Sequence, residues 1–215
     1  MCTHTPITNK ASSLILIGAG GHGKVAADIA EICGFKDVTF LDQSYPERQK
    51  NGSWKIIDDL TNIDDFRAEG CKFFLTIGNN QVRKRLWHEW KLQDSVQLIH
   101  PSANISRYAT LNSGVLAVAG VIVNPDAVIG CGTILNTACI IDHDCLIGDF
   151  VHVSPGANVA GGCRIGDSSW IGIGASIKQG VTIGRDVTVG AGATVVSDIS
   201  DGLTVIGTPA KPLKE

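Results

Sequence analysis

An apolar residue returns at every sixth position from Ile105 to Val195, sixteen times without a slip. The series runs Ile105, Leu111, Ala117, Val123, Ile129, Leu135 and onward to Val189 and Val195, with Ala117 its only small member. The residue two before a step is compact, as at Ala127, Thr133, Cys139, Cys145, Val151 and Ala157. Glycine often follows a step, at Gly130, Gly148, Gly166, Gly172, Gly184 and Gly190. A period of six fits neither the 3.6 of an α-helix nor the 2 of a flat strand. It fits a chain that turns a corner every six residues, with one large and one small side chain inward on each side. Three sides make a triangular coil of about 18 residues, so the run supplies about five coils. The large aliphatics should stack in ladders along the axis, and the glycines should help the chain round its corners. A sandwich of hairpins would not hold such a period over sixteen steps.

The charge pattern divides the chain. Residues 1–100 hold 12 Lys and Arg and 12 Asp and Glu, whereas residues 103–200 hold four basic and seven acidic residues. With His100-Pro101 this sets a boundary near residue 100, giving an α/β domain over 13–100 and a solenoid over 101–204. Residues 1–12 read as a polar, flexible tail without a signal-peptide core, and 205–215 as a C-terminal tail that leaves the repeat. The net charge of −3 gives no basic surface for nucleic acid. No apolar run approaches the ~18 residues that would span a membrane. Seven cysteines without a C-x-x-C pair point to a reducing, cytoplasmic setting. Cys139, Cys145 and Cys163 occupy compact inward positions, where a thiol is apolar filler.

Before residue 100 the pattern is that of a strand–helix–strand unit. Ser13–Ile17 reads as a buried strand, Gly18-Ala-Gly-Gly-His-Gly23 follows, and a helix runs from Lys24 to Cys33 with Val25, Ile29, Ile32 and Cys33 inward. Val38–Leu41 is the next strand and ends at Asp42. Glycines at 18, 20, 21 and 23 let backbone approach a phosphate, and the helix start offers N–H donors and a positive dipole end. His22 and Lys24 can both meet a phosphate, and Asp42 stands where a ribose or base would be bonded. About 90 residues make one mononucleotide-binding half, which argues against a dinucleotide dehydrogenase. Further on, Trp54–Ile57 reads as a short strand, 58–68 as a helix, and Lys72–Ile77 as a strand. Gly78 and Asn79 then lie at the carboxyl end of a parallel strand, where open α/β sheets bind ligands. A helix follows, with Asn80 as its expected cap, Val82, Leu86 and Trp90 inward, and Arg83-Lys-Arg85 on a solvated face. Val96–Ile99 is expected to close the α/β sheet.

Within the solenoid, Asn136, His143, Asp144 and His152 fall inside one coil length. Neither histidine takes the main inward position, so both are expected to face out. Asp142 and Asp144 flank His143 and would orient its ring and raise its basicity. His143 and His152 are nine apart, half a coil, the wrong geometry for one metal in one protomer. Near the C-terminus Lys211 is a candidate to meet the phosphates of a long cofactor, with Lys178, Arg185 and Lys214 as weaker ones.

The motifs Gly18-Ala-Gly-Gly-His-Gly-Lys24, Ile77-Gly-Asn-Asn80, Asp142-His-Asp-Cys145, His152-Val-Ser-Pro-Gly156, Ala160-Gly161 and Gly207-Thr-Pro-Ala-Lys211 together resemble one family. These are the sugar N-acetyltransferases of the left-handed β-helix superfamily that carry a small N-terminal nucleotide-sugar domain, of the bacillosamine, perosamine and viosamine pathways, together with sialic-acid O-acetyltransferase-like proteins. The resemblance runs from Leu14 to Lys211. It implies a Rossmann-like half-domain followed by a left-handed parallel β-helix; periodicity alone does not set the hand. It implies a homotrimer with sites between neighbouring β-helices, acetyl-CoA as donor, no metal, and a nucleotide-linked amino sugar as acceptor. His143 matches the family's general base and Asp144 the carboxylate that orients it, often a glutamate. Asn136 and His152 match residues lining the site, with Asn136 toward the acceptor and His152 toward acetyl-CoA. Gly161 matches a position whose N–H faces the thioester oxygen. Gly20, Gly21, His22 and Gly23 would cradle the pyrophosphate, with Lys24, Asp42, Gly78 and Asn79 completing that pocket. The favoured acceptor is the C4 amine of a UDP-linked 4-amino-4,6-dideoxysugar, with dTDP and GDP sugars as alternatives. An O-acetyltransferase on a sialic-acid-like sugar and a non-catalytic trimeric scaffold are the competing readings.

Overall fold

The structure is a computed structural model and describes residues 13–213, so the tail expected over 1–12 and the candidate Lys214 lie outside the described residues. The α/β part has strands β1 (Leu14–Ile17), β2 (Val38–Leu41), β3 (Lys50–Asn51), β4 (Trp54–Asp58) and β5 (Lys72–Leu75) in the order β3-β4-β2-β1-β5. All neighbours run parallel except β3 against β4. Helices α1 (Gly21–Ile32) and α2 (Ile63–Ala68) join strands of this sheet, and α3 (Asn80–Glu89) leads from β5 to the β-helix. The helix expected over 58–68 forms only in its second half, because Asp58 ends β4 and Asp59 accepts from the backbone N–H and hydroxyl of Thr61 in a turn.

Helix α1 packs with a different face from the one its large residues suggest. Gly23, Ala26, Ala27, Ile29 and Ala30 are buried against Leu14, Leu16, Phe40 and Phe74, whereas Val25 and Ile32 are exposed, as is Cys33. Small residues win because they let the helix axis sit close to the sheet. On helix α3, Asn80, Arg83 and Trp87 are the buried residues, while the expected Leu86 and Trp90 are half-buried and pack at the edge of the same core as Trp87.

The rest is a parallel β-helix. All sixteen step residues become the second residue of a two-residue strand, and from Ala117 onward each is no more than 3% exposed. Ile105 and Leu111, in the first coil, are half-buried. The compact residues Ala127, Thr133, Cys139, Cys145, Val151, Ala157 and Cys163 fill the gaps between ladders at 0% exposure. Burying each large aliphatic contributes about 1.5–3 kcal/mol. Strands 18 residues apart pair in register and form three faces. Face I carries Leu116–Ala117, Ile134–Leu135, His152–Val153 and Trp170–Ile171; face II carries Ile122–Val123, Ile140–Ile141 and Asn158–Val159; face III carries Val128–Ile129, Leu146–Ile147 and Arg164–Ile165.

Both ends of the solenoid extend beyond the expected run. Leu98–Ile99 does not close the α/β sheet; it pairs with Leu116–Ala117 as the first rung of face I. Thr204–Ile206 does not leave the repeat but adds a last rung to face I, pairing with Thr188–Val189, before Lys211–Pro212 folds back antiparallel on it.

The corners follow a second six-residue rhythm. A left-handed φ recurs at 114, 120, 126 and every sixth residue to 192, taken by glycine or by Asp126, Ala138, Asp144, Phe150, Ser168 and Asp186. The glycines that follow the aliphatic steps are different residues with a different task. A Cβ on Gly130 would lie 2.4 Å from the carbonyl of Gly148, so this position is glycine because successive coils touch there.

Outward residues of face I explain how the two parts join. Leu98, Leu116 and Ile134 are buried with Leu14, Leu16, Phe40 and Phe74 in one core. His152, on the next rung, is 8% exposed, and Trp170, one rung further, is 44% exposed. The α/β part therefore covers the first rungs of face I as far as His152, and beyond it reaches the next coils only through α3, where Asn80 and Gln81 contact Ser168, Ser169 and Asp186.

Candidate active site

The candidate residues form two groups. The first stands at the corner between faces II and III, the vertex of the triangular prism opposite face I. Residues 125, 143 and 161 take the same place on successive coils there, tied by hydrogen bonds from Asp144 N to Pro125 O and from Gly162 N to His143 O. Asp142 accepts from the backbone N–H of His143 at 2.8 Å and from Asn124 Nδ2, one coil earlier, at 2.8 Å. The Asn124 bond is the main reason its carboxyl is held below the usual range. The backbone N–H of Gly161 adds the smallest part of that effect.

Asp144 sits at a corner position with φ 59°. Aspartate tolerates this conformation better than most residues with a Cβ. Its Oδ2 lies 2.7 Å from His143 Nδ1, which leaves Nε2 free. The Asp144 bond, then the charge of Asp142, raise the His143 pKa. The ring is 60% exposed and leans over Gly161, where an added Cβ would meet Cε1 and Nε2 at 2.6 Å. A directed basic imidazole beside open backbone is the arrangement for taking a proton from a ligand.

The second group lies where the α/β part meets face I. Gly18, with φ 104°, turns the chain out of β1, and Gly23 is held so close to Gly18 O that a Cβ would sit 2.7 Å away. Gly20 and Gly21 are exposed, with open space where a Cβ would be, as an approaching phosphate needs. Lys24 is exposed. Asp42 partly serves the loop itself: it accepts from Ala19 N at 2.6 Å and from the N–H and hydroxyl of Ser44. Burial pushes its pKa up, but these bonds outweigh it and hold the carboxyl low. Arg48 and Asn51, which the sequence did not single out, bond to the Ala19 and Gly20 carbonyls and brace the same loop.

Asn79, not Asn80, caps α3, accepting from Val82 N at 3.0 Å. Asn80 is buried and donates to the carbonyls of Ser168 and Ser169. His152 is stacked on Trp170 with ring centroids 5.5 Å apart and planes 3° from parallel, and Asn136 Nδ2 is 3.2 Å from its Nε2. His22 lies with its ring centroid 6.2 Å from that of His152. Burial first, then the charge of Arg83, lower His22 to about 4 and His152 to about 3. At neutral pH His22 is thus a neutral hydrogen-bonding group, not the cation a phosphate would pair with. Trp170 was within reach of the sequence, since it stands 18 residues after His152; Arg83 was not, because the alternative apolar stripe was equally regular. Lys211 is exposed in the terminal hairpin, apart from both groups in the chain's register. Among the described residues no cluster of three or more His, Cys, Asp or Glu could hold a metal, and no helix is long and apolar enough to cross a membrane.

Comparison with known proteins bears on both groups. The family described as PglD N-terminal domain matches residues 13–90, and that described as bacterial transferase hexapeptide (six repeats) matches residues 162–197. The UDP-N-acetylbacillosamine N-acetyltransferase of Bacillus subtilis (strain 168) is 34% identical over 118 residues, which are 50% of this chain and 51% of that protein. The match thus spans about half the length of that curated relative. The acetyltransferase domain of PglB from Neisseria gonorrhoeae FA1090 superposes with a TM-score of 0.89 at 40% identity, covering 94% of this chain and 99% of that one, and has also been solved in complex with acetyl coenzyme A. A histidine-substituted perosamine N-acetyltransferase from Caulobacter crescentus, in complex with CoA and GDP-perosamine, superposes with a TM-score of 0.90 at 34% identity, covering 96% and 99%. With these likenesses spanning both parts, the chain belongs to the left-handed β-helix, hexapeptide-repeat sugar acetyltransferases that carry a PglD-type N-terminal domain.

Proposed function

We propose that the protein transfers the acetyl group of acetyl-CoA to the C4 amine of a nucleotide-linked 4-amino-4,6-dideoxysugar, with His143 as general base. The observation that carries this reading is the His143–Asp144 pair at 2.7 Å, with Nε2 free and the ring over Gly161. Nε2 takes the proton as the amine nitrogen bonds to the acetyl carbon. Asp144 accepts the Nδ1–H bond and stabilises the imidazolium that forms. The Gly161 N–H faces the oxygen on which negative charge gathers. When the carbon–sulfur bond breaks, His143 returns the proton to the departing thiolate. No protein nucleophile takes part, consistent with the burial of Cys139, Cys145 and Cys163.

Gly20, Gly21 and Gly23 hold the acceptor's pyrophosphate, with Lys24 as its counter-charge and Asp42, Gly78 and Asn79 toward the nucleoside and sugar. The neutral His22 donates or accepts a hydrogen bond there. Asn136 and His152 line the path between acceptor and thioester, and Lys211 meets a phosphate of CoA. The acceptor's handle binds beside face I, whereas His143 points away from the opposite vertex. One protomer therefore cannot deliver the sugar to its own base, and this supports a homotrimer in which each site is shared by two copies. A reducing cytoplasm, where nucleotide sugars and acetyl-CoA occur together, is the matching location.

The relatives act on, or are named for, both UDP- and GDP-linked sugars, so the base is left to experiment. The full chain with acetyl-CoA should form an amide on at least one of the UDP-, dTDP- and GDP-linked 4-amino-4,6-dideoxysugars. It should leave free sialic-acid-like sugars unmodified. Transfer to hydroxyls alone would establish an O-acetyltransferase, and transfer to nothing with retained nucleotide binding would establish a scaffold.

A further inference from the structure

Arg83 is a large side chain of which 1% is exposed, and among the described residues no carboxylate is a hydrogen-bond partner to it. Its Nε donates to Gly132 O at 2.7 Å. Its Nη1 donates to Ile77 O at 2.9 Å and Gly78 O at 3.0 Å. Its Nη2 donates to Asn80 Oδ1 and Phe150 O, both at 2.8 Å, with Val151 O at 3.3 Å. The acceptors belong to the turn after β5, to the start of α3, and to one corner of the β-helix on two successive coils, since Gly132 and Phe150 are 18 residues apart.

Burying a guanidinium without a counter-charge is unfavourable, and apolar side chains fill such joints at less cost. What a guanidinium offers in exchange is five N–H groups in one rigid plane. Here they fix carbonyls from three segments at once. The turn so fixed, Ile77–Gly78, stands at the carboxyl end of the α/β sheet, and the coils so fixed lead directly into His152.

We propose that Arg83 is a positioning residue for the acceptor: it sets the Ile77–Gly78 turn at one separation from the His22–His152 pair, so that a ligand held by the α/β part meets the β-helix in a single geometry. The inference rests on the reading of that part as the nucleotide-sugar site. The buried charge has a second effect that agrees with this role. His22 and His152 face Arg83 and each other, Trp170 and Asn136 on the β-helix side are uncharged, and the Gly78 carbonyl is the one group that opposes the lowering at His152. Both rings stay neutral, and among the described residues each has a buried nitrogen, His22 Nε2 and His152 Nδ1, without a hydrogen-bond partner. A neutral ring nitrogen can donate or accept toward a ligand; on His152 only Nδ1 remains for this, because Nε2 faces Asn136 Nδ2.

The test uses the full chain carrying Arg83→Lys or Arg83→Gln. In both, KM for the nucleotide-linked amino sugar should rise on the order of tenfold or more, while KM for acetyl-CoA stays within about twofold. Turnover of the same amino sugar lacking its nucleotide should be unchanged, because that acceptor does not use the joint. An unchanged KM for the linked acceptor, or an equal loss with both acceptors, overturns the proposal. Should neither variant fold, the unmodified protein decides: in NMR titration, with signals assigned by His22→Gln and His152→Gln, both rings should remain neutral at pH 5. Titration of either near the ordinary 6.5 overturns the proposal. If the unmodified chain acetylates no nucleotide-linked amine, the functional reading has failed. Calorimetry with UDP, dTDP and GDP then tests Arg83 separately, with binding to Arg83→Lys weaker by about tenfold expected and equal binding overturning it.

Discussion

His143 and His152 are nine residues apart on one solenoid, and their surroundings pull them in opposite directions. His143 stands on an open vertex, where two carboxylates raise its pKa. His152 lies on the covered face, where burial and the Arg83 guanidinium bring it down to about 3. Both belong to outward positions of the same six-residue rhythm. The difference comes from what covers them: among the described residues the vertex is left open, with His143 60% exposed, whereas the α/β part closes over the first rungs of face I. A repeat that buries its own core leaves its outside free to be specialised, and different outward positions, one at a corner and one on a face, then acquire different chemistry according to their neighbours.

Four experiments would break or sharpen that contrast. The largest effect belongs to the open vertex: His143→Ala should lower turnover by about 10²–10⁴-fold while leaving acceptor affinity in place. Normal turnover would remove the base from the mechanism. The covered face should instead report itself in stability. The folded pKa values of His22 and His152, about 4 and about 3, lie below the unfolded value of 6.5, so the unfolded state binds more protons as pH falls. Stability should therefore be full well above pH 6.5 and decline below it, at about 1.4 kcal/mol per pH unit for each histidine, until about pH 4 for His22 and about pH 3 for His152. Urea unfolding across that range should show the slope, and His152→Gln should reduce it by about half; a flat profile in the unmodified protein would contradict the buried, neutral pair.

Gly161→Ala places a methyl against the His143 ring, 2.6 Å from Cε1 and Nε2. It should cost about tenfold in kcat through a displaced base, with little change in melting temperature because the corner is open. Full activity would show that the ring can work from another rotamer. The smallest effect is expected from Asp144→Asn. Losing the carboxylate removes the first cause of the raised His143 pKa, so the acid limb of kcat/KM should move to lower pH. An unmoved limb would mean that another group governs it.

The solenoid was legible because close packing leaves its inward positions no freedom. Sixteen steps had to be apolar, and all sixteen became the inward residue of a strand. The His143–Asp144 pair was legible because adjacent residues at a corner need no long-range fold to meet. The joint was not, for three physical reasons. Packing on α1 is done by Ala26, Ala27 and Ala30, whose smallness carries no periodic signal, while Val25 and Ile32 draw attention to the wrong side. On α3 two stripes are equally regular, and the more deeply buried one contains a charge, while Leu86 and Trp90 of the other pack at the edge of the core. Leu98–Ile99 reads as a strand in either sheet, and only the register with Leu116–Ala117 decides. The spacing of 18 did hold usable information about Asn124 with Asp142, His143 with Gly161, and His152 with Trp170.

Because successive coils are in strict phase, the stretch from His143 to Gly161 behaves as a ruler with no slack. Adding or deleting one residue between them would turn every later ladder inside out and carry the glycine away from beneath the imidazole. Length can change by a whole coil without breaking the ladders, but for the proposed base the count between these two positions matters as much as the residues that occupy them.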